Sequence, residues 1–491
     1  MKIRFLCAAA LASASTSAHA VTFVSAFTVS GSAADLSGLA GGANGNRLGG
    51  FGSDLIYDSA TKQYYGVTDR GPGGGTIGYA PRTQAFKLGI NFDTGAINSF
   101  KLTGSALFTD AGGANYTGLN PFLATGNVAT LGRSLDSEGL AKLPNGNFLV
   151  SDEYGPSVYE FSASGQFVRA FATPNNLVPR TSTSAVDYLS GRPVITSGRQ
   201  DNRGFEGITV SPDGKTAYAV LQDPLVNEGA QSDGRRSRNV RIVAFDVATG
   251  VSTGQYVYQL ESIAAINANL PGNQAFTATN QGRSIGLSAV HALPDGRLLV
   301  LERDNRGLGV DDPNAGNAVG LKGLFVVSLA GATDVSDISL AGSNALPGGV
   351  TAVSKTAYLD IRAKLLAAGI TIGEKIEGVA FGPRLKDGGL SLILITDNDF
   401  SVTQNGSGTQ FDVCTSGAGG IASQVGLGSP CAPGQSLIPT YIYSFRLDAA
   451  EAQALGFAAV PEPASWALMI AGFALAGSSL RQRHTKRRFT A

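Results

Sequence analysis

The chain is poor in histidine. Three occur in 491 residues; His19 and His484 lie near the two ends, so only His291 is left for the body. That excludes a multi-histidine zinc site, a His–His dyad and any phosphatase mechanism that needs two histidines. A Ser-His-Asp triad has only His291 to use, and a lone histidine inside a strand reads first as an ordinary strand residue. Cysteine is scarce as well, with three residues. Cys7 falls in an apolar leader, which leaves Cys414 and Cys431. With no histidine or further cysteine nearby they do not make a metal pair. In an exported chain an isolated pair reads as a disulfide, here stapling a Gly/Ser-rich loop and stabilising it by roughly 3 kcal/mol. Charge is sparse, at 15% of residues, and 37 Lys and Arg balance 37 Asp and Glu. A nucleic-acid binder needs a basic footprint, and this balance excludes nucleic acid as a partner.

What the chain has is glycine, 65 residues of it, and a sentence written five times. The clearest copy runs from Asp136 to Pro156, DSEGLAKLPNGNFLVSDEYGP. Two apolar runs flank an Asn-Gly turn, the strongest short-range hairpin signal. Echoes occupy Phe205 to Pro224, Ile285 to Asp304 and Ile376 to Phe400, with a weaker one at Gly52 to Gly71. A second apolar pair follows each, such as AFKLGINFDTGAINSF or RIVAFDVATGVSTGQYVY. Each unit therefore holds about four short strands, the content of one propeller blade. The expected fold is an all-β propeller of four-stranded blades, one domain over residues 21–459, with five blades visible. A sixth is sought in Val21 to Gly50 or in the long insertions. The run VTFVSAFTVSG at Val21 is expected to pair with a C-terminal strand and close the ring. One stretch, Ser354 to Ile370, reads as a surface helix.

Aligned on their turns, the copies put Glu138, Glu206 and Glu377 in one slot, with Ser53 and Ser288 in the others. The end of the second strand holds Asp69, Asp152, Gln222, Glu302 and Asp397. The next position holds Arg70, Glu153, Asp223, Arg303 and Asn398. With the first strand innermost, these groups ring one mouth of the central channel. Clustered carboxylates suit a hard, oxygen-seeking cation, Ca²⁺ before others, with Glu138, Glu206, Asp223, Glu302, Glu377 and Asp397 as ligands. Arg70 and Arg303 suit an anionic group such as phosphate. The competing reading is that these motifs cap turns and pair neighbouring blades.

Both ends read as addresses. Residues 1–20 carry Lys2 and Arg4, an apolar stretch and Ala18-His19-Ala20, the pattern of an export signal cut by signal peptidase. Near the other end, Val460-Pro461-Glu462-Pro463 precedes the apolar stretch 464–480 and a basic cluster from Arg481 to Arg488. Seventeen apolar residues are at the short limit for a membrane span, and the basic cluster holds the cytoplasmic side. Residues 460–491 resemble a PEP-CTERM sorting signal. That resemblance implies exosortase as a processing partner and release to the cell surface or beyond, after transient anchoring in the inner membrane.

The body itself resembles the phytase-like, "esterase-like activity of phytase" family. The residues that carry the likeness are D-S-E-G-L-A at Asp136 to Ala141, S-D-E-Y-G-P at Ser151 to Pro156, R-G-F-E-G-I at Arg203 to Ile208, Q-D-P-L at Gln222 to Leu225 and K-I-E-G-V-A at Lys375 to Ala380. The resemblance implies a secreted, propeller-like hydrolase. It carries over Glu138, Asp152, Glu153, Glu206, Asp223, Glu302 and Glu377 as catalytic or metal-binding positions. The first copy departs from the pattern, with Ser53-Asp54 where Glu-Gly is expected. The favoured reading is a Ca²⁺-dependent phosphoester hydrolase, with Glu138, Asp152, Glu153, Glu206, Arg70 and Arg303 as its catalytic set and a small phosphoester or ester as substrate. Its rivals are a carboxylester or lactone hydrolase, and a non-catalytic surface protein that binds exopolysaccharide or a protein partner.

Overall fold

A computed structural model describes residues 21–42, 45–125 and 127–458. The export signal (1–20) and the sorting tail with its apolar stretch 464–480 lie outside the described residues. Among the described residues no helix is long and apolar enough to cross a membrane.

The fold is all-β and built from four-stranded antiparallel sheets. The first sheet comprises Asp54–Asp58, Gln63–Val67, Arg82–Ile90 and Ile97–Leu107. The second comprises Ser137–Lys142, Phe148–Asp152, Ser157–Phe161 and Phe167–Ala170. The third comprises Phe205–Val210, Thr216–Leu221, Asn239–Asp246 and Val251–Gln259. The fourth comprises Ile285–Ala292, Leu298–Asp304, Lys322–Ser328 and Ser354–Asp360. In the fifth, Lys375–Arg384, Leu390–Asp397 and Thr440–Leu447 are completed by Thr22–Val29 from the other end of the chain. That last pairing is antiparallel, with Phe27 opposite Ile442 and Val29 opposite Thr440. The first strands of the five sheets contact one another in cyclic order, and the first strand of the fifth contacts that of the first. Apolar side chains such as Leu140, Ile208, Leu287 and Val379, all buried, fill the space between successive sheets.

The hairpin turns follow their sequence. Gly146 takes φ +91°, with its N–H donating to Leu143, and Gly214, Gly296 and Gly388 repeat the positive φ. A β-carbon there would meet the steric barrier that glycine escapes. The glycine of each Glu-Gly pair serves a different need. A β-carbon on Gly139 would lie 2.4 Å from the Glu206 carbonyl oxygen, and one on Gly207 would lie 2.6 Å from the Val290 nitrogen. These glycines let neighbouring first strands pass at close range. The residue before each sits at a register shift, between Ser137 and Gly139, Phe205 and Ile208, and Ile376 and Gly378. Ser288 occupies the corresponding shift of the fourth sheet. Such bulges re-aim one side chain out of the ladder.

The structure corrects three expectations. Ser354–Asp360 is the outer strand of the fourth sheet, and only Ile361–Ala367 is helical, capped by the Asp360 carboxylate on the Ala363 N–H. Thr356 pairs with Val326 and Ala357 with Phe325, while Tyr358 is the extra residue of a bulge, so tertiary pairing overrides the helix expected there. That outer strand also takes the place of the second half of the apolar pair that follows the fourth copy, GLFVVSLAGATDVSDISL, since Val335 to Leu340 forms no part of the fourth sheet. Finally, Val21 to Gly50 supplies one strand to the fifth sheet rather than a sheet of its own. A sixth four-stranded sheet, Val402–Gln404, Gln410–Thr415, Ala422–Gly426 and Ser436–Leu437, is inserted within the fifth. Cys414 and Cys431 are bonded inside that insertion.

Candidate functional site

The bulges and the ends of the second strands meet at one mouth of the ring. Asp136, Glu138 and Glu153 each bring a carboxylate oxygen to within 4.8 Å of the others, and so do Asp69, Asp397 and Asp399. Glu206 lies 1% exposed and Glu377 2%, and one oxygen of each (Oε2) has no hydrogen-bond partner; the same holds for Glu153 Oε1. Leaving buried carboxylates unpaired is costly unless something neutralises them.

Four cations are threaded among these acids. Arg70 donates to Asn202 and lies 3.4 Å from Asp136 Oδ2. Arg203 bonds Gln222 and lies 3.3 Å from Asp223 and 3.8 Å from Glu153. Arg303 donates to Ser288 at 2.8 Å and also to Glu377. Lys375 reaches Asp399 at 2.5 Å. All four line a cavity of about 390 Å³, together with Asp69, Glu374 and Asp399. Val402, Thr403 and Gln404 of the inserted sheet form part of its wall. Arg47 ties that sheet down by pairing with Asp412 at 2.5 Å and by donating to the Phe400 carbonyl.

The electrostatics follow from this crowding. Burial, then the Glu206 charge, pushes the Glu138 carboxyl well up. Burial, then Glu153 and Glu377, does the same to Glu206. Glu153 is pushed up to about 8 by burial and by Asp136, and Asp397 to about 7, chiefly by burial. Asp223 rises less, to about 6, because burial is opposed by Arg203, Arg283 and Arg303. Burial works against the charges on Arg70 and Lys375. The surrounding acids, Asp136 for one and Asp399 for the other, outweigh it and raise both.

Of the residues singled out from the sequence, the structure brings Arg70, Glu138, Glu153, Glu206, Asp223, Arg303, Glu377 and Asp397 to this mouth. Two fall elsewhere. Asp152 stands opposite Ser137 and Glu302 opposite Leu287. They sit one residue before the mouth-facing positions Glu153 and Arg303, and a slip of one residue turns a side chain to the other face of its strand. Asp152 accepts the Asp136 and Tyr154 N–H groups, shaping the loop that carries Asp136 and Glu153. Glu302 accepts from Lys355 at 2.6 Å, Tyr258 at 2.8 Å and the Glu261 N–H at 2.6 Å, between the third and fourth sheets. It is therefore withdrawn as a ligand at the mouth.

Sequence reasoning missed Asp136, Arg203, Lys375 and Asp399 as site members. Asp136 and Lys375 each lie two residues before the Glu of a Glu-Gly pair, and Arg203 three before. An alignment extended upstream by one turn of the strand reaches them. Asp399 had no such signal. It is held by three successive non-glycine residues with positive φ, Asp399, Phe400 and Ser401.

The far mouth differs. There a cavity of about 700 Å³ is lined by the hairpin turns, with Tyr57, Asp58, Lys142, Thr209 and His291 among its residues. His291 packs edge-on against Phe381 at 5.3 Å, and burial pushes its imidazole down to about 4. It stands far from the acidic cluster, as an ordinary strand residue does.

The chain belongs to the phytase-like family described as "Esterase-like activity of phytase", whose family model matches residues 46–400. Residues 459–483 match the PEP-CTERM protein-sorting motif, which implies export, exosortase processing and sorting to the cell surface. An uncharacterized secreted protein of Arthroderma benhamiae is 31% identical over 316 residues, covering 53% of this chain and 60% of that protein. The chain thus matches less than two thirds of that relative's length. Among solved structures, virginiamycin B lyase of Staphylococcus aureus is 10% identical at TM-score 0.31, covering 86% of this chain and 99% of its own. The periplasmic gluconolactonase of Pseudomonas aeruginosa is 13% identical at TM-score 0.29, covering 84% and 100%. Likenesses at these scores carry no argument about this chain.

Proposed function

We propose that the chain is a phosphoester hydrolase acting at the acidic mouth of a five-bladed propeller with the help of Ca²⁺. The observation that carries this reading is the cluster of Asp136, Glu138, Glu153, Glu206 and Glu377, in which Glu153, Glu206 and Glu377 each keep one buried oxygen without a partner, beside a cavity walled by four cationic side chains. An all-oxygen, multiply anionic donor set fits a hard divalent cation. Asp136, Glu138 and Glu153 would hold it, with Glu206 and Glu377 alongside. When bound, calcium neutralises these carboxylates and polarises a phosphoryl oxygen. Arg70, Arg203, Arg303 and Lys375 hold the phosphate by charge-assisted hydrogen bonds. Glu138 or Glu206 accepts the proton of the attacking water. The inserted sheet limits access of bulk water. Five sheets whose first strands contact in a ring, closed by Thr22–Val29, support five blades.

The four cations favour phosphate over a neutral carbonyl. The family description keeps carboxylester or lactone hydrolysis as the second reading. A role as a surface protein that binds exopolysaccharide, with purely structural metal, is the rival from another class. Assay of small phosphomonoesters and carboxylesters, with calcium and after chelation, decides among them. The proposal expects phosphoester turnover that needs calcium and disappears in the Glu138→Gln/Glu206→Gln variant while the fold persists. Turnover of carboxylesters alone selects the second reading. No turnover of either class selects the binder.

A further inference from the structure

The described chain ends at the mouth opposite the acidic cluster. Thr440–Leu447 runs to that end, and the helix Ala449–Ala454 follows. Arg297, beside the hairpin turn of the fourth sheet, donates to the Ala454 carbonyl at 2.6 Å. Phe457 packs on Phe381 at 4.7 Å, and Phe381 in turn packs on His291, which lines the 700 Å³ cavity. Arg384 holds the Ala458 carbonyl at 2.5 Å. The chain is thus pinned at this rim up to Ala458.

Residues 459–463 are all that separates Ala458 from the apolar stretch beginning at Ala464. Five extended residues reach at most about 18 Å. The first strands of the sheets, five to ten residues long, set the two mouths roughly 17–33 Å apart at about 3.3 Å per residue. We propose that, while the sorting tail is attached, the turn mouth faces the lipid bilayer and the acidic mouth opens away from it. The tether sets this orientation and surface charge does not. The basic groups of the turn mouth pair locally, Lys142 with Asp58, Arg297 with Asp295, Lys386 with Asp93 and Arg446 with Asp387, so anionic lipid gains little net attraction there. In this orientation the acidic cavity meets solutes and not lipid headgroups, which points, on the reading above, to soluble substrates.

The test needs no activity. The mature chain, residues 21–491, whose two cysteines Cys414 and Cys431 are bonded to each other, is reconstituted into vesicles that carry nitroxide-labelled headgroups. A fluorophore is placed at Ser59→Cys, on the turn mouth, or at Ser407→Cys, on the inserted sheet; both residues are exposed. The expected result is several-fold stronger quenching at 59 than at 407, equal at low and high salt. A Gly/Ser linker of about 20 residues inserted after Ala458, with a root-mean-square span of roughly 25 Å, should bring the two positions together. Equal quenching at native spacing, stronger quenching at 407, or failure of the chain to associate with vesicles overturns the proposal. Asymmetry that survives the linker overturns the tether as its cause.

Discussion

The two mouths of the ring are made by the same strands and differ in every other respect. At the turn mouth the hairpins that join first and second strands are tight and alike, Pro144 to Gly146, Pro212 to Gly214 and Pro294 to Gly296. Among the described residues the one long connection there, 329–353, joins the two outer strands of the fourth sheet. Their charges pair locally, Lys142 with Asp58 at 2.6 Å and Arg297 with Asp295 at 2.6 Å. At the acidic mouth the connections are long, as in 108–136, 171–204 and 398–439. They bring Asp136 and Asp399 beside the carboxylates that the first-strand bulges aim at this mouth, among them Glu206 and Glu377, each with one oxygen left unpaired. Short turns maintain a ring at little cost. Longer ones are free to carry additional side chains to a site, and a buried oxygen left unpaired there costs stability.

The comparison can be broken at several points. Removing two central charges by Glu138→Gln/Glu206→Gln should lower calcium-dependent turnover by about 10³-fold, the scale of general-base catalysis, with an unchanged far-UV spectrum. Glu302→Gln should act on stability alone. It strips Lys355 of a buried partner and should cost on the order of 3 kcal/mol in urea unfolding, with calcium affinity unchanged.

pH supplies a third test. Burial raises Glu153 and Glu374 to about 8, Asp397 to about 7 and Asp223 to about 6. Unfolded carboxyls titrate near 4, so the folded state binds these protons more tightly. Their stabilising effect is complete below about pH 4 and is lost as pH rises through roughly 6 to 8. His291, pushed down to about 4, works the other way and costs stability as pH falls from about 6.5 to 4. The acids outnumber it. The metal-stripped protein should melt higher at pH 5 than at pH 8, and saturating calcium should flatten that slope in a melting series. Smaller effects follow. Arg203→Met should raise KM for a phosphoester about tenfold, a loss of about 1.4 kcal/mol, and leave carboxylester KM unchanged. Lys142→Met at the turn mouth breaks a part-exposed pair and should change stability by under about 1 kcal/mol and turnover not at all.

The hairpins, the repeat and the closing pairing of Thr22–Val29 were legible because glycine turns and alternating apolar residues are local signals. The Glu138, Glu206 and Glu377 slot was legible for the same reason: each precedes a glycine that close packing of first strands demands. Asp152 and Glu302 were grouped with Gln222 and Asp397 by aligning the turns, but the ladders set Asp152 opposite Ser137, Glu302 opposite Leu287, Leu221 opposite Phe205 and Thr396 opposite Ile376. Gln222 and Asp397 therefore belong with Glu153 and Arg303, and hairpins of unequal length hide that one-residue offset in the sequence. Ser354–Asp360 looked helical because it runs into a stretch where Leu359, Leu365 and Leu366 are interspersed with Asp360, Arg362 and Lys364, while its strand state depends on pairing with Lys322–Ser328, on the far side of a long connection. Asp399 comes from a left-handed turn of ordinary residues fixed by tertiary contacts, including Phe400 on Tyr79, and sequence carries no mark of that.

The most direct measurement is calorimetric titration of calcium into metal-stripped residues 21–458, repeated on Glu138→Gln/Glu206→Gln. The account predicts saturable binding to the unsubstituted chain that is lost in the variant while both remain folded. Absence of binding to the unsubstituted chain, or equal affinity in the two, would contradict a cation site at the acidic mouth.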